Sequence, residues 1–167
     1  MGLPPVVVGL FIFLILIRSG PLGFLDLLHT PAAMVLAQFL LATPIITSLC
    51  IAALSSVGAP VRETALTLGA TKKDMALLVV SEAKFGITTA ILAGFGRAIA
   101  EVGAILIAGG NIVYWSGESY TRTLSTAIVV EADRGDVAAA IAFGIILISI
   151  AFVVNLALNI LKRRGNA

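Results

Sequence analysis

The chain has 167 residues, of which 59% are hydrophobic and 12% charged, and its formal net charge is +2. Soluble domains sit nearer half apolar and a quarter charged, so a soluble globular domain and an electrostatic nucleic-acid binder are both excluded. The lone cysteine, Cys50, lies in an apolar segment, which excludes an intrachain disulfide and fits a small buried hydrophobe.

Four apolar segments organise the chain: Leu3–Ile17, Ala32–Val57, Phe85–Ala108 and Val137–Leu161. The last three reach the roughly 20 residues that a membrane-spanning helix needs. Lipid leaves unpaired backbone unsatisfied, so the expected fold is an all-α integral membrane protein, a polytopic helix bundle in one domain over 1–167. Its expected spans are about 3–17, 32–57, 85–108 and 137–161. The first segment follows no basic region and carries no small-residue cleavage site, so it does not read as a signal peptide. Val6 stands where myristoylation needs Ser or Thr.

Lysine and arginine give the orientation. Loop 58–84 carries Arg62, Lys72, Lys73 and Lys84, and the C-terminus carries Lys162, Arg163 and Arg164. The opposite side has Arg18, Arg122 and Arg134. Loop 58–84 and the C-terminus are therefore expected in the cytoplasm, with loops 18–31 and 109–136 outside.

Loop 18–31 has turn signals at Gly20-Pro21 and Thr30-Pro31, with Leu22–Leu28 as a short interfacial helix between them. His29, the only histidine, has no partner at metal-ligand spacing and reads as a residue beside a helix end. Segment 32–57 holds Thr43-Pro44, and Pro44 is expected to kink its helix. Thr43, Thr47 and Ser48 are candidates to satisfy the freed carbonyl. Thr43 and Pro44 either face a pathway or mark a packing kink.

Between the second and third segments, Pro60 suits the first turn of a helix and Gly69 the position just past its end. Thr71 with Asp74 reads as a capping box for a second helix. Residues 60–84 are thus expected as helix, glycine turn, helix, the first too short to stand alone.

Segment 85–108 carries two stripes of small residues, Ala90-Gly94-Ala98 and Gly96-Ala100-Ala104, which allow close helix approach on two faces. Arg97 and Glu101, four apart, are expected to share a face at membrane depth. They read either as a structural ion pair or as the lining or gate of an anion path.

Loop 109–136 has Tyr114 and Trp115 suited to headgroup level, a short surface helix over Thr121–Glu131, and four acids (Glu118, Glu131, Asp133, Asp136) against Arg122 and Arg134. Arg134-Gly135-Asp136 is too short to stand as an adhesion motif. In the last segment Asn155 and Asn159 are placed to bond a neighbouring helix.

Glu63-Thr64-Ala65 followed by Gly69 resembles the cytoplasmic loop signature of ABC-importer permeases, with Thr64 where the family pattern has Ala. Phe95-Gly96-Arg97-Ala98-Ile99-Ala100-Glu101-Val102-Gly103-Ala104, then Gly109-Gly110-Asn111-Ile112, resembles the oxyanion branch of these permeases, which serves molybdate, tungstate and sulfate. Thr121–Ile128, Glu131 and Gly135-Asp136 look most like the tungstate-type members.

The resemblance covers 4–161 and implies a molybdate-type permease fold without the usual N-terminal helix, the mark of a fragment or a shortened start. It implies the transmembrane subunit of an oxyanion importer, tungstate first, with molybdate or sulfate as alternatives. Arg62, Glu63, Ala65, Gly69 and Ala70 would form the coupling helix. The implied partners are a second copy of the chain, two copies of an ATPase subunit and an extracytoplasmic oxyanion-binding protein, with no nucleic acid. ATP and magnesium would belong to the ATPase subunit, this chain binding no cofactor or metal.

No P-loop, His-Glu-x-x-His or Gly-x-Ser-x-Gly pattern occurs, so no catalytic residues are expected. Of two other readings, a non-transporting membrane scaffold or sensor gains little from intramembrane charge. An intramembrane enzyme using Glu101 lacks a second acid, a nucleophile or a metal set.

Overall fold

A computed structural model describes residues 4–165. Leu3, counted in the first expected span, lies outside the described residues, as do the side chains of Lys162, Arg163 and Arg164. In order, the helices are α1 (Pro5–Leu16), α2 (Pro31–Ser55), α3 (Ala59–Thr67), α4 (Lys72–Glu82), α5 (Lys84–Ile99), α6 (Gly103–Gly109), α7 (Leu124–Asp133) and α8 (Val137–Gly165). Among the described residues there is no β-sheet, only an isolated bridge between Val113 and Ser119.

The core lies where α1, α2 and α6 meet. Each offers one narrow stripe at four-residue spacing: Val8, Ile12 and Leu16 from α1, Ala33, Ala37 and Leu41 from α2, and Ala104 and Ala108 from α6. Most of the stripe residues on α2 and α6 are alanines, so backbones approach closely. A Cβ on Gly9 would fall 2.7 Å from the Ala104 Cα, and one on Gly103 would fall 3.0 Å from Val6 Cγ2. These two contacts set α1 and α6 side by side in the same direction.

Outside those stripes the helices carry bare hydrocarbon. Val7, Leu10, Phe11 and Leu14 of α1 are exposed, as are Val35 and Phe39 of α2 and Ile141, Ile145, Ile148 and Phe152 of α8. Water would not tolerate so much contiguous apolar surface, whereas lipid does. Two helices, Pro31–Ser55 and Val137–Ala157 within α8, are long and apolar enough to cross a membrane. The pair α4 and α5, bent by 60° at Ala83, passes the same test as one broken span.

Several expectations change in detail. The run 85–108 is two helices, α5 and α6, separated by residues 100–102. The second small-residue stripe is therefore cut: Gly96 faces Val154 of α8, while Ala104 packs on Gly9 of α1. The first stripe faces α2, where a Cβ on Gly94 would overlap Ile46 Cγ1. Leu22–Leu28 holds only a 3-10 turn, Gly23–Leu25. A regular helix cannot continue there, because Asp26 and His29 both have positive φ.

The helix α2 runs unbroken through Pro44. The Thr43 hydroxyl donates to the Phe39 carbonyl and Ser48 to that of Ile45, so neither takes the Leu40 carbonyl that Pro44 leaves. Asn155 donates to the Ala151 carbonyl of its own helix at 3.0 Å rather than to a neighbour.

Gly9→Val is expected to lower the thermal unfolding midpoint of the detergent-solubilised chain, since the obstacle is backbone; overpacking costs about 1–3 kcal/mol. Gly144→Ala, where a Cβ meets nothing within 4 Å, is the control and is expected not to lower the midpoint.

Candidate functional site

Two places combine polar chemistry with defined geometry: the α3–α4 hairpin and the break between α5 and α6.

Gly58 precedes α3, and Pro60 occupies its first turn, where a missing N–H costs nothing. At the other end the Ala70 N–H donates to Ala65 O and the Gly69 N–H to Leu66 O, both at 3.0 Å. This six-to-one and five-to-two pair is a Schellman cap, and it requires the left-handed backbone that Gly69 adopts at φ +79°. The chain then enters α4 through the expected capping box: Asp74 N–H donates to Thr71 Oγ1, and Thr71 N–H to Asp74 Oδ2 at 3.0 Å.

The hairpin is thus locked by local bonds, and its two arms enclose an open cavity of about 790 Å³ lined by Val61, Ala65, Leu68 and Leu78 among others. Of the five residues expected to couple, Ala65 is buried at the base of α3, while Glu63 and Gly69 are exposed. Ala70, which closes the cap, is half-buried. Arg62 Nη2 donates to the Leu54 carbonyl at 3.1 Å, tying α3 back to the end of α2. Leu66 and Leu68 present bare apolar surface.

The break is built around Glu101. Its side chain is 6% exposed, and Oε2 lies 2.9 Å from Arg97 Nη1. Oε1 accepts from the N–H groups of Val102 at 3.1 Å and Ala104 at 3.4 Å, which are orphan donors at the start of α6. The Glu101 carbonyl accepts from Ser125 Oγ at 2.8 Å. Gln38 of α2 donates to the Ala98 carbonyl at 3.3 Å.

Arg97 and Glu101 are brought together as expected, but across a helix end rather than along one helical face. Thr43 and Pro44 are exposed on α2 and have no hydrogen bond to this pair. Gln38 and Ser125, not singled out as site residues, complete the break. A polar residue inside an apolar span was the available signal for Gln38.

Beyond the break, Gly110 caps α6 with φ +71°. A Cβ there would meet the His29 ring at 3.0 Å, and the His29 N–H donates to the Ala108 carbonyl. His29 does sit beside a helix end. The Ile112 N–H donates to Thr121 Oγ1 at 2.7 Å, closing a loop whose tip is the fully exposed Trp115.

The expected surface helix over Thr121–Glu131 starts instead at Leu124, under a Thr123–Thr126 capping box, and it is not a surface helix throughout: Ser125, Thr126 and Ala127 are buried. Arg122 pairs with Glu131, both nearly buried, and Arg134 joins Glu131 at 3.2 Å from the exposed side. Gly135 and Asp136 have a structural role. The Gly135 N–H donates to Ala132 O and that of Asp136 to Glu131 O, while Asp136 Oδ1 accepts from Ala139 N–H to cap α8.

The family model for the binding-protein-dependent transport system inner membrane component matches residues 1–166. The chain belongs to this family. A probable anion ABC transporter permease protein of Haloferax volcanii is 53% identical over 155 residues, 93% of this chain and 67% of that protein. The tungstate uptake system permease protein TupB of Peptoclostridium acidaminophilum is 39% identical over the same share of this chain and 66% of its own length. The molybdenum transport system permease protein ModB of Azotobacter vinelandii is 32% identical over 75% of this chain and 57% of its own. The chain thus spans about two thirds of the length of the more similar relatives. The inner membrane component family agrees with the apolar helices and their bare hydrocarbon faces.

Two measurements probe this geometry. The Thr71 hydroxyl and amide hold the Asp74 carboxyl below its ordinary range. A depressed folded-state pKa contributes stability that is present above the unfolded value, near ~3.9, and lost as pH falls through the lower folded value. Protection of the first-turn amides of α4, taken relative to their intrinsic exchange rate at each pH, is therefore expected to fall only on strong acidification, and Thr71→Val to remove that dependence. Separately, Arg122→Leu leaves the nearly buried Glu131 with only the exposed Arg134 as its ion-pair partner. It is expected to destabilise the chain by about 1–3 kcal/mol in denaturant unfolding, against under ~0.5 kcal/mol for the exposed Arg134→Ala.

Proposed function

We propose that the chain is the transmembrane subunit of an ATP-driven importer and that it moves an oxyanion, tungstate, across the cytoplasmic membrane. The observation that carries the reading is the locked α3–α4 hairpin with its exposed apolar tip, in a chain of the binding-protein-dependent family. A helix of nine residues with Leu66 and Leu68 bare is a poor free-standing element and a good docking one. In this reading Arg62, Glu63, Ala65, Gly69 and Ala70 seat the hairpin on an ATPase subunit in the cytoplasm, and ATP with magnesium acts there.

Two copies of the chain form the pathway, and a binding protein delivers the anion from outside to the face that carries α7. Loop 58–84 and the C-terminus lie in the cytoplasm, as their lysines and arginines favour. Tungstate is favoured over molybdate by the higher identity and coverage of the tungstate relative. Arg97 supplies positive charge at membrane depth, half-exposed and held by one carboxylate.

Gly69→Val tests the coupling. A Cβ at Gly69 meets nothing within 4 Å, so within the chain the strain comes from the positive φ, a penalty of roughly 1–2 kcal/mol. Membrane insertion is expected to persist, while tungstate accumulation by cells falls at least several-fold and the ATPase subunit no longer co-purifies. Normal accumulation by the variant would refute the coupling role. Uptake of molybdate in preference to tungstate by the wild type would reassign the cargo.

A further inference from the structure

The two ends of the Arg97–Glu101 pair are held very differently. Glu101 is buried and fastened at several points: Oε1 by the Val102 and Ala104 N–H groups, Oε2 by Arg97, and its carbonyl by Ser125. Arg97 is 41% exposed, and among the described residues its ion-pair partner is Glu101 alone. The close approach is between Nη1 and Oε2, and a guanidinium carries five N–H donors in a planar fork.

If the pair opens, Glu101 keeps its two amide bonds and is not orphaned. Arg97 is free to take a tetrahedral oxyanion through two parallel hydrogen bonds, the stronger arrangement. Opening leaves the carboxylate hydrogen-bonded by two amides, and on the arginine side its cost is offset by the bonds to the anion.

We propose that Glu101 is a built-in stand-in for the transported anion: it neutralises Arg97 at rest and is displaced from it, without moving, by the passing oxyanion. This assigns Glu101 as a positioning and affinity-setting residue, and it rests on the oxyanion-importer reading above. The carboxylate keeps a permanent positive charge out of the bilayer between turnovers. It also weakens anion binding, which lets the cargo leave.

The test titrates the purified full chain, in detergent, with tungstate. Gln at position 101 retains an oxygen for the two N–H groups but loses the charge. Glu101→Gln is expected to bind tungstate roughly tenfold more tightly than wild type, the effect of removing one charge-assisted competitor. In cells it is expected to lower the KM for uptake and also the maximal rate, because release slows. Arg97→Gln is expected to lose binding. In the wild type, saturating tungstate is expected to leave exchange protection of the Val102 and Ala104 amides intact, a readout that needs no variant.

Equal or weaker binding by folded Glu101→Gln, no tungstate binding at all, or loss of that amide protection on saturation would each overturn the exchange. Wild-type cells that accumulate tungstate while any of these holds leave the importer reading standing. Wild-type cells that accumulate no oxyanion sink the importer reading itself.

Discussion

A helix that stops inside an apolar environment must find partners for the donors and acceptors it exposes, because no water is there to take them. The break after Ile99 is the place where this chain meets that constraint, and Glu101 is the solution. One carboxylate caps the start of α6 through two amides and binds the arginine in the last turn of α5. The position of α6 follows from that cap, and with it the seam of Ala104 and Ala108 against α1 and α2. Removing the acid would leave the amides unpaired and the arginine unopposed in one step. A scaffold would gain nothing from such an arrangement, since an apolar helix without a break is simpler to bury.

The same physics explains which features were legible in the sequence. The α3–α4 hairpin was read almost residue by residue, because a Schellman cap and a capping box are local: Gly69, Thr71 and Asp74 specify them within a few positions. The family resemblance of the loop around Glu63 and Gly69, and of the segment around Arg97, Glu101 and Asn111, was likewise visible in short motifs, and the family match agrees with it. The all-helical membrane class followed from composition, the lengths of the apolar segments and the lipid's demand for paired backbone.

The break itself was not visible. Residues 85–108 contain no proline, and the alanines and glycines around residue 100 fit a continuous helix as well as an interrupted one. What stops α5 comes from far along the chain: Ser125, 24 residues away, holds the Glu101 carbonyl, and Gln38, 60 residues away, holds that of Ala98. Helical periodicity carries no information about bonds of that range. The start of α7 was misplaced for a milder reason. Thr121 and Thr123 are both plausible caps, and burial of the Thr121 hydroxyl against the Ile112 N–H leaves Thr123 to cap the helix.

Seen from α5, the two polar regions are ends of one object. The helix begins at the 60° bend after α4 and ends at the Glu101 break. Along its length it lies on α2 with no slack, since even a methyl group on Gly86 would sit 2.6 Å from Ala53 Cβ. On its other side, toward α8, a cavity of about 430 Å³ lined by Gly96, Leu147 and Val154 leaves room. Close packing on one face and space on the other make tilting toward α8 easier than sliding along α2. In the importer reading proposed above, a push on the α3–α4 hairpin would reach the Arg97 end of the same helix as a change in its angle, and the ion pair with the buried Glu101 is the contact that such a tilt would stretch.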